Sequence, residues 1–579
     1  MNAMSSSPTP AAPATVDCDL LVIGSGAAGL SAAVTAAWHG LKVIVAEKDP
    51  VCGGATALSG GWMWVPLNPV SLGDGTVDDP AEVRRYLRHE LGEQYDPARI
   101  EAFLENGPRM VDFFSRHTAL QFVSGSWIAD IHGGSPGAGT GGRSVAPQPF
   151  DARRLDRRLL GILRYQKYET SLLGMGIMAG PDLGQMMRAN RSASAFLYAT
   201  GRLMRHMRDL LVHGRGMQLV NGCALVARLM KSADALKVEF RVSSPARRLI
   251  EAGGRVVGAE LDTPTGRVEV RSRCGVVLAA GGFPHDIERR KKLFPRTPTG
   301  AEHWSLAPPA ASGDGLAMAE AVGGSVADRS LASPVAWCPV SEVRYPGGRT
   351  GLYPHIIDRG KPGLIAVLAD GRRFVNEANG YHDVVSAMVK AVPEGQEVAS
   401  WLICDHRFQR RYPFGMSKPF PVPVWPYVRS GYLQRGRTLE ALALQCGIDP
   451  KGLVRTVSEY NLHARSGQDP AFGRGSTLFN RRSGDPDQQP NPCVAPIGPG
   501  PFYAIKVRPG SFGTFAGLRT DPSARVLRED GAPIAGLYAV GCDQASVMGG
   551  HYPSGGINLG PAMTFGYIAG CRAAGADPT

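Results

Sequence analysis

At 579 residues, the chain is long enough for roughly two to four domains and a sizeable buried core, and its 43% apolar and 20% charged content exclude a largely disordered polymer. Its 73 glycines are nearly twice the usual share of about 7%, with no collagen-like period, so much of the backbone must turn sharply or approach a ligand closely. A net charge of +12 suits an anionic partner, a nucleotide or a membrane surface, without choosing between them.

Residues 1–16 have neither a basic nor an apolar leader pattern and read as a flexible tail. Residues 19–23 (DLLVI) read as a buried strand, Leu30 to His39 as an Ala-rich helix and 42–46 (KVIVA) as the next strand, together a βαβ unit. Leu20 to Trp38 carries no charge, but its glycines and its break into strand-like and helix-like halves argue against a membrane span. The segment 143–215 holds thirteen Arg/Lys against five acids, with Leu and Met at helical spacing. It reads as a basic helical insertion, with peripheral membrane contact or quinone docking as its functional alternative. Strand signals return at 237–242, 255–260 and 275–280, and the texture from about 300 to 500 becomes that of a separate α+β unit. Short strands (537–540) and a helix from about Pro561 follow. Ten dispersed cysteines, without a CxxC pair, haem attachment or zinc spacing, point to a reducing cytoplasm.

The first chemical constellation is Gly24-Ser25-Gly26-Ala27-Ala28-Gly29, directly after a strand and opening a helix. Gly24 permits the turn, Gly26 lets the backbone reach a pyrophosphate, and Gly29 allows close helix–strand packing. The helix N-terminus offers N–H groups to phosphates, and Glu47, closing the second strand, can accept from a ribose hydroxyl. This is a dinucleotide site. No second strand–GxGxxG–helix occurs, since the Gly-rich run at 133–142 follows no strand and reads as a loop, so a nicotinamide partner and nucleic acid are not expected.

Gly53 to Gly61, with Thr56 and Ser59, resembles the FAD-binding segment of the succinate dehydrogenase/fumarate reductase flavoproteins. VVLAAGGF (276–283) resembles their second FAD motif and GLYAVGCD (536–543) their third. The resemblance implies FAD held by Gly24, Gly26, Ala27, Ala28, Gly29, Glu47, Lys48, Gly54, Ala55, Thr56, Ser59, Gly60, Gly61, Ala246, Ala280, Gly281, Asn558 and Leu559. Asp543 would face the ribityl chain or pyrophosphate. With no histidine in 53–61, the FAD should be non-covalent.

Where fumarate-reducing members carry a histidine motif, this chain reads Ser511-Phe512-Gly513-Thr514-Phe515-Ala516-Gly517, which favours an apolar substrate. Arg372 to Tyr381 (RRFVNEANGY), the stretch 517–527 (GLRTDPSARVL) and Val547 to Gly566 (VMGGHYPSGGINLGPAMTFG) resemble the 3-ketosteroid dehydrogenases. That resemblance implies α,β-dehydrogenation of a cyclic ketone. Tyr552 and the Gly556 N–H would grip the ketone oxygen, Tyr381 would take the α-proton, and flavin N5 the hydride. A tyrosine has an ordinary pKa near 10, so a base role requires Tyr381 to be depressed. Δ1-dehydrogenases carry a further tyrosine where this chain reads Ser126 to His132 (SWIADIH), which has none. Ser554 stands where Δ4(5α)-dehydrogenases have a serine in their proton relay, and is a catalytic candidate.

The expected fold is α/β: a Rossmann-type (glutathione-reductase-like), discontinuous FAD domain from 17–300 and 505–579, with an inserted α+β catalytic domain at 301–504. The expected partners are an apolar cyclic ketone and a quinone or similar acceptor. A Δ4(5α)-ketosteroid dehydrogenase, a cyclohexanone-type dehydrogenase and a fumarate-reductase-like reductase of a small acid remain as alternatives.

Overall fold

The computed structural model describes residues 14–327 and 331–577, so the expected tail lies mostly outside the described residues. Its last three residues are not tail. The first strand, β1, runs Ala14–Ile23, and Ala14, Thr15 and Val16 pair in parallel with Val268, Glu269 and Val270. These residues are bound by main-chain hydrogen bonds to a strand some 250 positions away, which no local pattern can announce.

Helix α1 (Ala27–Trp38) follows β1, and β2 (Val43–Ala46) pairs in parallel with it. Leu20, Leu21 and Val22 are fully buried, as are Ile44 and Val45, because this sheet is covered on both faces. Five strands form its parallel centre, in the order Glu239–Arg241, β2, β1, Gly266–Leu278 and Pro533–Ala539. The meander Ala246–Ala252, Arg255–Thr263 and Gly266–Leu278 is antiparallel and lies to one side. Helix Leu559–Ala573 packs along α1, burying thirteen of its fifteen residues.

A second sheet is antiparallel along its main path: Thr350–Pro354, Val335–Arg344, Phe502–Thr514, Ser400–Asp405 and Leu364–Val367. Phe502–Thr514 straddles the expected boundary at 504/505 and pairs only within this second sheet, so the chain leaves it after Thr514. The segment 143–215 is helical only in part. Ser144–Pro147 and Phe150–Asp151 are strands, paired with Met63–Trp64, Phe122–Ser124 and Gln218–Leu219. Its main helices are Pro181–Arg188 and Ala193–His213. Among the described residues, no helix is long and apolar enough to cross a membrane, and no group of His, Cys, Asp or Glu could hold a metal ion.

Candidate active site

One cavity of about 800 Å³ runs from the β1–α1 turn to the second sheet. Gly24, with φ +108°, opens the turn, and a Cβ there would lie 2.1 Å from the Ala279 carbonyl oxygen. Gly29 does not line the cavity; a Cβ on it would lie 2.1 Å from the Gly24 carbonyl oxygen, so it serves packing alone. The Ala27 N–H donates to Thr56 Oγ1 at 3.0 Å, which ties the 53–61 segment to the first turn of α1. Glu47 Oε2 accepts from the Ser25 hydroxyl at 2.5 Å and the Ser25 N–H at 3.1 Å. Burial raises the Glu47 pKa, opposed by these bonds and by the Asp49 N–H. Lys48 reaches Ser312 and Asp314, both at 2.7 Å. Gly26, Ala28, Gly54, Ala55, Ser59, Gly60, Gly61, Ala246, Ala280, Gly281, Asn558 and Leu559 also line the cavity.

The N-terminal end of α1, the bare glycine backbone beside it and the Glu47 carboxylate at the end of β2 fit a dinucleotide. The cavity continues past that cradle between the sheets, as a cofactor with a second ring system requires.

Asp543 does not face this space. It is fully buried, and its carboxylate accepts the Ala280 N–H at 2.6 Å and the Gly282 N–H at 2.8 Å. Its carboxylate holds the second glycine motif by these two N–H bonds, and burial pushes its pKa up to about 6.

At the far end Tyr381 Oη donates to Tyr552 Oη at 2.8 Å, and Asn558 Nδ2 donates to the same Tyr552 oxygen at 3.4 Å. The two rings meet edge to face, centroids 4.9 Å apart, and Phe512 lies 5.3 Å from Tyr381. Each tyrosine is placed by its own stretch. The 372–381 motif is organised by buried charges: Glu377 pairs with Arg373 at 2.7 Å and Arg474 at 3.1 Å, and Arg373 also pairs with Asp469 at 2.7 Å. Arg359 donates to the carbonyls of Glu377 and Asn379, fixing the turn that begins helix Tyr381–Ala391. Removing one partner from such a cluster strands a buried charge, so the cluster holds its geometry tightly. His132, between Glu90 and Asp383, ties the 126–132 loop to that helix's first turn. Burial opposes its protonation, but the carboxylates of Asp383 and Glu90 prevail and push its pKa up to about 10.

Tyr552 belongs to a loop held from below. Pro553 O accepts the Tyr86 hydroxyl at 2.6 Å and the Ile131 N–H at 3.0 Å, and Gly556 O accepts the Trp64 N–H at 3.0 Å. Gly556, with φ +102°, lines the cavity, and its N–H makes no hydrogen bond among the described residues. Two features bear on the expected roles of Tyr381 and Ser554. Burial and the neighbouring Tyr552 hold the Tyr381 pKa well above its ordinary value, because only Arg359 acts the other way. Burial likewise raises Tyr552. Ser554 is fully buried outside the cavity wall, its hydroxyl beside the Asp130 carboxylate but not in hydrogen-bond geometry. Asp130 is bound instead by Trp64 Nε1 at 2.9 Å, the Gly139 N–H at 2.8 Å and Arg143 at 2.8 Å. From the 126–132 loop, Trp127 and Ile128 face the cavity. Sequence reasoning did not single out Arg359, His132 or the lining residues Lys167 and Lys418. Nothing local marks them: Arg359 and His132 act through distant partners, and the fold alone brings Lys167 and Lys418 to the cavity.

A family model described as FAD binding domain matches residues 19–559. The chain is 41% identical to 4-oxocyclohex-2-ene-1-carboxylate 5-dehydrogenase of Sinomonas cyclohexanicum, over 96% of this chain and 93% of that one. It is 35% identical to 3-oxosteroid 1-dehydrogenase of Mycobacterium tuberculosis, over 95% and 97% of the two chains. The solved structure of 3-ketosteroid Δ1-dehydrogenase from Sterolibacterium denitrificans with 1,4-androstadiene-3,17-dione superposes with a TM-score of 0.89 at 34% identity, covering 96% and 99%. With the glycine cradle and the facing tyrosines, these likenesses make the chain a member of the FAD-binding-domain family and, within it, of the 3-ketosteroid dehydrogenase group of FAD-dependent oxidoreductases.

Proposed function

We propose that the protein dehydrogenates a cyclic ketone α,β to its carbonyl, in the manner of a 3-ketosteroid Δ1-dehydrogenase, and passes the electrons to a quinone-type acceptor. The observation that carries the reading is the contact between Tyr381 and Tyr552 beside the free Gly556 N–H, in a cavity walled by Phe512, Trp127 and Ile177. The FAD domain of this reading is a discontinuous Rossmann-type unit, and the inserted unit carries Tyr381. FAD, bound non-covalently in the glycine cradle, supplies the hydride acceptor.

The Tyr552 hydroxyl and the Gly556 N–H converge on the ketone oxygen and stabilise the charge that develops there, a term on the order of several kcal/mol in a dry site. Tyr381 removes the α-proton. Because its pKa is raised rather than depressed, the reactive tyrosinate is scarce at neutral pH, and Tyr552 is the group that shares its proton. The buried position of Ser554 supports the Δ1-type assignment over a Δ4-type relay. A cyclohexanone-type substrate is the second reading, favoured by the 41% identity to an oxocyclohexenecarboxylate dehydrogenase.

We also assign lipid contact to the outer face of helix Ala193–His213. It leaves Leu197, Met204, Leu211 and Val212 more than half exposed, beside Arg205 and Arg208. The helix's Phe196, Ala199 and Leu203 line the cavity, so the same element borders the substrate space.

Anaerobic mixing with 3-ketosteroids, cyclohexanones and dicarboxylates tests the function. Ketones should bleach the flavin. Reoxidation of the reduced flavin by an unsaturated dicarboxylate, with no ketone bleaching the oxidised flavin, would overturn the reading in favour of a reductase.

A further inference from the structure

Eight charged side chains line the cavity: Glu47, Lys48, Asp49, Lys167, Asp314, Arg359, Glu377 and Lys418. Six have partners. Glu47 takes Ser25, Lys48 pairs with Asp314 at 2.7 Å, and Asp49 pairs with Arg164. Arg359 is spent on three backbone carbonyls, and Glu377 lies between Arg373 and Arg474. The two left over are both ammonium groups. Among the described residues, Nζ of Lys167 and Nζ of Lys418 make neither a hydrogen bond nor an ion pair.

They belong to the second-sheet side of the cavity, away from the glycine cradle. Lys418 precedes Pro419, Phe420, Pro421 and Val422, which all line the cavity, with Phe420 and Val422 also exposed at its rim. Lys167, Thr170 and Leu172 line the cavity, as do Tyr353 and Ile356. The turn Tyr168–Thr170 after Lys167 packs on strand Thr350–Pro354 of the second sheet. Glu169 attracts Lys167 but accepts the Tyr345 hydroxyl at 3.1 Å, and no acid acts on Lys418. Burial without a counter-charge lowers the Lys418 pKa to about 8 and lowers that of Lys167.

An ammonium in an apolar wall costs free energy that a bound carboxylate returns, as a charge-assisted hydrogen bond in a low-dielectric space. A purely hydrocarbon substrate would cover both half-buried cations without giving either a partner. We propose that Lys418 and Lys167 form a carboxylate-binding end of the substrate cavity, so that the preferred substrate is a cyclic ketone bearing an acid group remote from its carbonyl. The proposal rests on the ketone-dehydrogenase reading and names its substrate class.

The test compares each acid with its methyl ester in steady-state turnover with an artificial electron acceptor, alongside anaerobic flavin reduction. One arm uses 4-oxocyclohexane-1-carboxylate, the other a 3-ketosteroid with a side-chain carboxylate at C17. In at least one arm the wild type should favour the acid over its ester in kcat/KM by about 10–100-fold, the span of one buried charged hydrogen bond. Lys418→Gln or Lys167→Gln should erase that preference through KM, with kcat and the ester rate retained. The arm that responds distinguishes a short acid from a steroid acid. Ketones turned over with no acid preference in either arm would overturn this proposal and leave the dehydrogenase reading standing. A flavin that no ketone reduces would overturn both.

Discussion

Gly556→Ala separates the oxyanion donor from the rest of the site, and Gly555→Ala is its internal control. A Cβ on Gly556 would lie 2.7 Å from the Trp64 nitrogen and 2.8 Å from the Trp62 carbonyl carbon and oxygen, all of them backbone atoms that no rotamer change can clear. The φ of +102° adds strain, on the order of 1–2 kcal/mol for a residue with a Cβ. Overpacking adds roughly 1–3 kcal/mol, so the loop should give way and carry its N–H off the ketone oxygen. The expected result is a loss of about 10²–10³ in the rate of flavin reduction, the size found when one oxyanion donor is removed. A Cβ on Gly555 meets nothing within 4 Å, so Gly555→Ala should stay within a few-fold of wild type. Anaerobic stopped-flow reduction, with FAD content and thermal unfolding measured on the same preparations, reads all three quantities. Wild-type reduction in Gly556→Ala with FAD retained would refute the assignment of the N–H to the ketone oxygen.

Tyr552→Phe and Tyr381→Phe should each slow flavin reduction by about 10²–10⁴ while FAD stays bound, and only Tyr381→Phe should abolish exchange of the substrate α-proton with deuterated solvent while sparing phenol binding. The pH profile follows from the raised Tyr381 pKa. Below that pKa the tyrosinate fraction grows tenfold per pH unit, so the rate of reduction should climb through pH 9 with no plateau. A midpoint near pH 7 in stopped-flow rates would show that another base is at work. Ser554→Ala should leave both the rate and the α-proton exchange within a few-fold of wild type, since its hydroxyl faces Asp130 and not the cavity.

The cradle was legible because its parts are local. A strand, a glycine turn, a helix and a terminal acid stand within thirty or so residues, and each is dictated by short-range sterics and by the free N–H groups of a helix start. The tyrosines were legible through the motifs around them. What escaped depends on distant partners. Asp543 looked like a cofactor contact because its motif ends near the site, yet its carboxylate is consumed by N–H groups 263 and 261 positions away in the chain. The strand Phe502–Thr514 carries no signal of which sheet it joins, since both sheets offer buried edges. The segment 143–215 read as a basic helical insertion. Several of its arginines are instead paired with acids elsewhere: Arg164 with Asp49, Arg158 with Asp234, Arg191 with Asp485. The expectation of a depressed Tyr381 rested on needing a base; no cation comes close enough to supply that depression against burial.

Tyr381 and Tyr552 are 171 residues apart in the chain, and helix Tyr381–Ala391 is docked on strand Val335–Arg344, whereas the glycine cradle is built on the first sheet. Colour and competence are therefore separate properties of a preparation. A fraction in which that helix had come off its strand would keep the cradle while lacking the Tyr381 of the proposed mechanism. Absorbance at the flavin maximum counts cradles, not active sites. Specific activities should be normalised to the amplitude of ketone-dependent bleaching, and a purification step that raises this amplitude at constant flavin content is removing a half-docked form, not apoprotein.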